Sequence, residues 1–527
     1  MKERYRKFNV AALQRVATES LNHGRCVSIS KFAEGMNCKV FLLGMEDGFE
    51  AIAKLPTAAA GPRYYLTSSE VATMDFLRSE LSIPVPRVYV WNPFTSVDRN
   101  PVGAEYIIME KVEGVQLADC WGDLTGKETL KIMKQLASIE AQFFERPLSQ
   151  YGSIYYKTSL NAPEHRSDKL YADDTLNNDQ NSRWCIGPSA NSAWWYQERA
   201  DMNIERGPCK PHHPDTMTNA SGRTSANYVK AVSARERAWA SRFARPQEHS
   251  FLTFKSGRLV DPSELLVLLD QYDALIVPLM AHEPPRSIIR HPDLRLLNIF
   301  VHPESKDIVG IIDWQETDAQ PLSLHSGFPF LANDQREMLS NAFVAPPVPD
   351  YGSMDEIDKH NAKIEYTRQR AHHLYFVATG KWNPVHFEAL RRPFLPILQR
   401  LVVHAGRPWA GNNVFLQFAI LQASKLWAEM GATGPCPVEF TDEQAARIEK
   451  DYEEYNEALE HFEYLRGLVG ANEEGWVSNE EYEETMVRNE CVRRELALAG
   501  DPEDRNEIWR AWPFKDEGDE STWEDCT

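Results

Sequence analysis

The chain of 527 residues is predicted to be an α+β protein of two lobes, a small β-rich N-lobe and a large helical C-lobe. Three observations predict it. Strand-like runs crowd the first 114 residues, a short hairpin with polar residues at both outer ends lies near residue 300, and apolar residues at helical spacing dominate the chain beyond it. The expected boundaries are 1–110 for the N-lobe, 111–435 for the C-lobe with an insertion at about 146–256, and 436–527 for an acidic helical extension with a disordered tail.

The first seven residues, Met1-Lys-Glu-Arg-Tyr-Arg-Lys, are basic, and Val10 to Leu21 has the spacing of an amphipathic helix. A mitochondrial presequence is rich in Arg and Ser and poor in acids, whereas this helix contains Glu19. The expectation is a cytosolic protein or a chain whose gene lacks its first exon. Val40 to Leu43 and Glu50 to Leu55 read as neighbouring strands joined through Gly44-Met-Glu-Asp-Gly48, and Lys54 sits on the second. Thr67-Ser-Ser-Glu70 opens an apolar-periodic stretch with a cap-like run, so Glu70 is the candidate partner of Lys54. Taken alone, Lys54 has a surface lysine on a strand as its less favoured reading. Ser30 to Val40 carries a single glycine, Gly35, where backbone amides could approach a phosphate. Ala104 to Gly114 is a buried-looking strand running into a polar, glycine-ended segment, and Met109-Glu110 suits a hinge whose backbone pairs with adenine and an ordinary edge strand equally well.

The insertion, Arg146 to Ser256, has weak helical patterning, with surface loops expected over Asn161–Ser182 and Pro208–Arg223 and a helix over Ala226–Arg242. His212-His213 has no second ligand pair in metal-like register, so a solvated loop is expected there. The Trp194-Trp195 pair reads as packing before it reads as a stacking platform for a substrate.

The hairpin carries the chemistry. Ile299–Val301 and Ile308–Ile312 are short apolar strands around the turn His302–Asp307. Upstream lies His291-Pro-Asp293, then Asn298 five residues after Asp293, and Asp313 fifteen residues after Asn298. In phosphoryl transfer of the kinase type, the first Asp accepts the substrate hydroxyl proton, the Asn and second Asp hold magnesium, and the His fixes the loop. Amide and carboxylate oxygens are the hard ligands magnesium prefers. The bland alternative is an ordinary hairpin with turn-forming Asp and Asn, which leaves the polar residues at both outer ends without a purpose. Arg295, two residues after Asp293, is a candidate for stabilising charge on the transferred phosphate.

Beyond Asp313, the proline cluster Pro346–Pro349 precedes helices expected at Arg368–Val377, His386–Ala405 and Asn413–Met430. Further helices are expected at Asp442–Leu468 and Asn479–Leu498, with disorder after Lys515.

Lys54, Glu70, Met109-Glu110, His291-Pro-Asp-Leu…Asn298 and Ile312-Asp-Trp-Gln315 together resemble the aminoglycoside phosphotransferase and choline-kinase-like family of small-molecule kinases. Asp-Trp-Gln in place of Asp-Phe-Gly, with no Ala-Pro-Glu soon after it, sets the chain apart from protein kinases. Tyr5–Leu13, Tyr151–Tyr156, Ile186–Ser189 and Trp194-Trp195 more narrowly resemble the large fungal group that includes altered inheritance of mitochondria protein nine, over roughly residues 5–430. The resemblance implies a bilobal protein-kinase-like fold, ATP and magnesium. It places Lys54 and Glu70 with Gly35, Met109 and Glu110 at the nucleotide, Asp293, His291 and Arg295 at the chemistry, and Asn298 and Asp313 on metal. It is also the sole ground for a mitochondrial location. The chain departs from the family at Pro292, where many relatives have Asn, Gly or Arg, and in its glycine-poor loop.

Composition narrows the alternatives. The net charge of −20 is concentrated at the end: from Glu439 onward there are 28 acidic and nine basic residues, leaving 49 acidic and 48 basic before it. A near-neutral body without a basic stripe argues against nucleic-acid binding. The acidic end reads as solvated helices, with an acidic wall attracting a cationic substrate as the sharper alternative. No 18-residue apolar span is present. The eight cysteines lack paired metal spacing and read as reduced thiols inside a cell. The expected function is transfer of phosphate from ATP to a small hydroxylated molecule. A kinase-like scaffold that binds nucleotide without catalysis is the alternative, and phosphorylation of protein is less favoured.

Overall fold

The computed structural model describes residues 6–35, 37–160, 166–167, 169–204, 206, 224–251, 254–281, 283–333, 343–471, 477, 481–515 and 523. The expectations for His212-His213, for Pro208–Arg223 and for nearly all of the chain after Lys515 lie outside the described residues. Helix α1 (Val10–Leu21) matches its sequence expectation because both ends are locally encoded. Asn9 Oδ1 accepts from Ala12 N at 3.0 Å, and Asn22 ends the helix in the left-handed region that Asn tolerates.

Strands β1 (Cys26–Glu34), β2 (Cys38–Met45), β3 (Glu50–Pro56), β4 (Val88–Asn92) and β5 (Tyr106–Glu110) form one antiparallel sheet in the order β1-β2-β3-β5-β4. Helix α2 (Tyr65–Ser79) connects β3 to β4. The central strand β3 is buried on both faces, and its period of two divides them. Ala51, Ala53 and Leu55 pack with Leu13 and Ala17 of α1. Ile52 packs with Val71 and Ala72 of α2 and with Ile107 and Met109. Lys54 therefore shares the α2-facing side with Ile52.

The Ser/Thr run at Thr67 is no cap. The helix begins two residues earlier, after Tyr64, and Thr67, Ser68, Ser69 and Glu70 are all buried within its first two turns. The need to bury this face against the sheet overrides the local capping preference.

After β6 (Val115–Gln116) and the short α3 (Leu117–Cys120), α4 (Gly126–Glu145) opens on a capping box between Thr125 and Glu128. The insertion is less helical than its patterning suggests. It contains an antiparallel pair, β7 (Ser153–Tyr156) with β8 (Trp184–Gly187), before α5 (Ser225–Phe243) and β9 (Gln247–Phe251); β10 (Phe254–Val260) crosses its end and α6 (Pro262–Met280) follows it. Strand β11 (Ser287–Ile289) leads into the hairpin β12 (Ile299–Val301) and β13 (Ile308–Ile311), and β14 (Ala319–Pro321) pairs back on β11.

The helical part continues with α7 (Leu322–His325), α8 (Glu356–Trp382), α9 (Pro384–Leu390), α10 (Leu395–Ala405), α11 (Val414–Lys425), α12 (Asp442–Val469), α13 (Tyr482–Ala499) and α14 (Arg505–Arg510). The single helix expected over His386–Ala405 is two. Pro393 follows Arg392, and Phe394 takes φ 62°, so the chain breaks there before α10 begins.

Two compact units are present, Met1–Arg235 with Ile276–Gln399, and Glu236–Leu275 with Arg400–Thr527. The first contains every residue singled out for chemistry. The second has its own aromatic packing, with Phe418 stacked on Tyr452 at 3.7 Å and Leu465, Val469 and Trp512 clustered together. Among the described residues no helix is long and apolar enough to cross a membrane. Cys26, Cys38, Cys120, Cys185, Cys436 and Cys491 are free thiols.

Candidate active site

Lys54 stands at the centre of the site because β3 carries it onto the face that meets α2 and the segment after β13. Its Nζ donates to Glu70 Oε1 at 2.6 Å and to Asp313 Oδ1 at 2.7 Å. Lys54 and Glu70 are 3% and 2% exposed. Burial works against the Lys54 charge, yet Asp313 and Glu70 outweigh it and lift its pKa above the ordinary lysine value. Burial raises the Glu70 carboxyl in spite of Lys54, while at Asp313 the nearby Lys54 overcomes burial and holds the carboxyl below its usual range. Glu70 Oε2 is buried without a hydrogen-bond partner among the described residues. Asp313 adopts φ 66°, a left-handed conformation that Asp accommodates better than most residues and that turns the chain immediately after β13.

The loop after β11 brings up the second group. His291 Nε2 donates to Ile312 O at 2.8 Å, and His291 Nδ1 accepts from Asp293 N at 3.1 Å. These two bonds define one neutral tautomer, in keeping with a pKa lowered by burial. The ring lies 4.5 Å from Trp314, edge to face. Asn298 Nδ2 donates to Asp293 O at 2.8 Å, so the amide oxygen, the atom able to ligate a cation, is not the one tied to the loop. Arg295 Nε donates to Asp293 Oδ1 at 2.6 Å, and its guanidinium lies 4.6 Å from the Phe330 ring.

Gly35 closes the β1–β2 turn by donating to Cys38 O at 3.0 Å, with open space where a Cβ would stand. Met109 is buried in the core below β5. The Glu110 carboxylate accepts from Arg87 N at 2.9 Å, which ties the end of β5 to the start of β4. Among the described residues no group of three or more His, Cys, Asp or Glu side chains is arranged to hold a metal ion.

Two features escape a sequence reading. Arg290, just before His291, donates to Glu140 Oε1 from Nε (2.9 Å) and Nη2 (2.6 Å) and to His325 O at 2.8 Å, while Tyr375 bonds the other oxygen of Glu140. This buried set anchors the loop to α4 and α8. An arginine inside the apolar run Ser287–Ile289 to His291 is the signal that could have revealed it. Second, the insertion docks on the chain after Asp313. Ser192 donates to Glu316 Oε2 from N (3.3 Å) and Oγ (3.1 Å), and Ser189 Oγ donates to Asp318 Oδ2 at 3.1 Å. The tryptophan pair follows its sequence expectation: Trp195 stacks on Tyr65 at 5.0 Å, while Trp194 is buried beneath the Arg235 guanidinium. Both tryptophans are thus engaged in packing.

Burial pushes the Asp318 carboxyl from 3.8 up to about 6, against the bonds from Gln320 and Ser189. A raised folded-state pKa means that the stability this group contributes is complete below about pH 4 and is lost as pH rises through about 6. At about 1.4 kcal/mol per unit the loss is on the order of 3 kcal/mol. His325 Nε2 donates to Asp318 O at 2.9 Å, and burial holds that ring's pKa down at about 4, so it supplies no compensating charge at neutral pH. Asp318→Asn is therefore expected to be more stable than the native chain at pH 7.5, with the gain vanishing near pH 4. Equal urea midpoints for the two proteins at pH 7.5 would contradict this.

Comparison with known proteins adds an independent line. The model of the phosphotransferase enzyme family matches residues 28–323. A subtelomeric hrmA-associated cluster protein of Aspergillus fumigatus is 31% identical over 94% of this chain and 98% of its own. Altered inheritance of mitochondria protein 9 of Saccharomyces cerevisiae, named mitochondrial, is 22% identical over 89% of this chain and 75% of its own. Among solved structures, a thermostable mutant of aminoglycoside phosphotransferase APH(4)-Ia in complex with ADP and hygromycin B has 13% identity and a TM-score of 0.34, covering 80% of this chain and 100% of that one.

Proposed function

Because the chain belongs to the phosphotransferase enzyme family, we propose that it transfers the terminal phosphoryl group of ATP, with magnesium, to a hydroxyl of a small molecule. The observation that carries this reading is the convergence of Glu70 and Asp313 on the buried ammonium of Lys54. A cation so held is poised for nucleotide phosphates, and Glu70 keeps it in place when Asp313 turns to metal. Asn298 and Asp313 suit magnesium, which takes one or two protein oxygens and completes its shell from phosphate and water. When bound, the metal neutralises charge on the phosphates.

The remaining work falls to this chain's own groups. Asp293 receives the acceptor hydroxyl and takes its proton as the oxygen bonds to phosphorus and the bond to ADP breaks. Arg295 holds Asp293 in place through its Nε bond, and the neutral His291 fixes the loop between Asp293 and Ile312. Gly35, with the turn around it, covers the phosphates, and the backbone at Met109 and Glu110 meets adenine. On this reading 1–110 is the nucleotide-covering lobe, 111–435 the catalytic lobe and 436–527 an acidic extension. We place the protein inside the cell, in the cytoplasm or the mitochondrion, the second on the names of relatives alone. The single glycine at the phosphate-covering turn favours a second reading, a scaffold that binds nucleotide without turnover.

The test is thermal melting of the full chain with ATP and magnesium, followed by ATP turnover over a panel of alcohols and amino alcohols. A ligand that binds only the folded state raises the melting temperature by mass action, about 2.7 kcal/mol at a hundredfold excess over Kd. Magnesium-dependent stabilisation by ATP is expected in the native chain and not in Asp313→Ala. Its absence from the native chain would reject the nucleotide site altogether, and stabilisation without turnover on any acceptor would favour the scaffold.

A further inference from the structure

The unit formed by Glu236–Leu275 and Arg400–Thr527 contains a cavity of about 190 Å³ at the N-terminal end of α11. His404, Arg407, Trp409, Asn413, Phe415 and Tyr455 are among the residues that line it. None of them takes part in the phosphotransfer reading.

The polar part of the wall offers donors. Asn413 is 5% exposed, and its Oδ1 accepts from Trp409 Nε1 at 3.0 Å. An indole N–H can only donate, so this bond decides the orientation of the amide and identifies the other atom as the NH2 group. That Nδ2 is buried and has no hydrogen-bond partner among the described residues, and the same is true of His404 Nδ1. Buried amide hydrogens without an acceptor are costly and call for an explanation, commonly an absent ligand or water. Arg407 has no carboxylate partner among the described residues, although the chain from Glu439 onward is strongly acidic. Burial, followed by Arg407 and Arg400, pulls the His404 pKa down to about 4, so at neutral pH this ring adds no charge of its own. The N-terminal end of α11, a helix of 12 residues, adds positive potential at the same place.

The rest of the wall is flat and apolar. The Phe415 ring stacks on His404 at 5.1 Å and meets Tyr455 edge to face at 4.7 Å. An apolar cavity of about 150 Å³ is large enough for benzene. The space here thus accepts one ring and a small polar group. We propose that this cavity binds a small aromatic carboxylate, its ring against Trp409 and Phe415 and its oxygens on Asn413 Nδ2 and Arg407. The donors ask for acceptors, Arg407 asks for a negative charge, and the aromatic walls distinguish such a ligand from a bare inorganic anion.

Benzoate is the probe, titrated into the full-length chain and followed by ligand-observed NMR, with benzamide and inorganic phosphate as comparisons. Saturable binding of benzoate is expected, weakened about tenfold or more, roughly the loss of one charge-assisted hydrogen bond, in Arg407→Gln and in Asn413→Asp. The second substitution keeps an oxygen for Trp409 and puts another where the NH2 group stands. Arg407 is exposed, so its variant keeps the test available should Asn413→Asp fail to fold. Benzamide, with the same ring and no charge, is expected to bind at least about tenfold more weakly. The absence of saturable benzoate binding, native-like affinity in Arg407→Gln, benzamide binding as well as benzoate, or phosphate binding as tightly as benzoate would each overturn the proposal. All of these readings are independent of ATP turnover.

Discussion

Asp293→Asn is expected to lower acceptor-dependent ATP turnover by about 10²–10⁴-fold, the range for removing a positioned general base, and to leave stabilisation by magnesium and ATP intact. Glu70 and Asp313 hold Lys54, whereas Asp293 is held by its own loop. Its Oδ1 accepts from Arg295 at 2.6 Å, and its Oδ2 lies 3.4 Å from Asn298 Nδ2. An asparagine in its place presents its oxygen to Arg295, which can only donate. The NH2 group then takes the place of Oδ2 and offers hydrogens where a hydroxyl proton should arrive. The side chain is 39% exposed, so the native fold should tolerate the change, with a stability difference within about 1 kcal/mol. Steady-state kinetics on the best acceptor of the panel, beside a melting curve with ATP, checks both halves. Turnover within about tenfold of native would remove Asp293 from the role of base.

Lys54→Met should have the largest effect on stability. Methionine fills the stem of the lysine but leaves Glu70 and Asp313 facing each other without the cation between them. Removing one partner of a buried ion pair costs about 3–5 kcal/mol, because the remaining charge is stranded in a poor solvent. The deficit should shrink as pH falls. Burial already raises the Glu70 carboxyl, and without Lys54 it rises further, so the variant protonates Glu70 at a higher pH than the native chain does. Denaturant midpoints at pH 7.5 and pH 5 measure this. Lys54→Met with Glu70→Gln should recover part of the stability at pH 7.5 and none of the stabilisation by ATP, which separates the structural share of the lysine from the binding role proposed for it. A single variant that unfolds within about 1 kcal/mol of native and still responds to ATP would place the nucleotide elsewhere.

How much of the molecule is legible in its sequence depends on how local the causes are. The hairpin around His302–Asp307 is legible because both strands and the turn lie within fourteen consecutive residues, 299–312. Lys54 is legible because an alternating strand between turn residues determines its side of the sheet. Helix α1 carries its own Asn at each end. Less local features misled. The Thr67–Ser69 run resembles a cap and instead lies inside α2, buried against the sheet. His386–Ala405 keeps helical apolar spacing through a break that Pro393 and Phe394 impose. Within the insertion, β7 and β8 pair across about thirty intervening residues, a distance at which periodicity carries no information about partners.

The sequence by itself determined the class of the chain, α+β with its strands first, its membership of the phosphotransferase enzyme family, and the identity of the polar residues that flank its hairpin and of the lysine on β3. Only the tertiary structure decided how they meet. Lys54 and Asp313 are 259 positions apart and share one hydrogen bond, a closeness that depends on α2 packing under the sheet and on β13 ending in a left-handed turn. Tertiary structure also decided that Arg290 finds Glu140 and that Asp318 is shut away from water. Charge and hydrogen-bonding capacity are properties of a residue, whereas burial and partnership are properties of its surroundings. The pKa values and ion pairs that make a site come from the second.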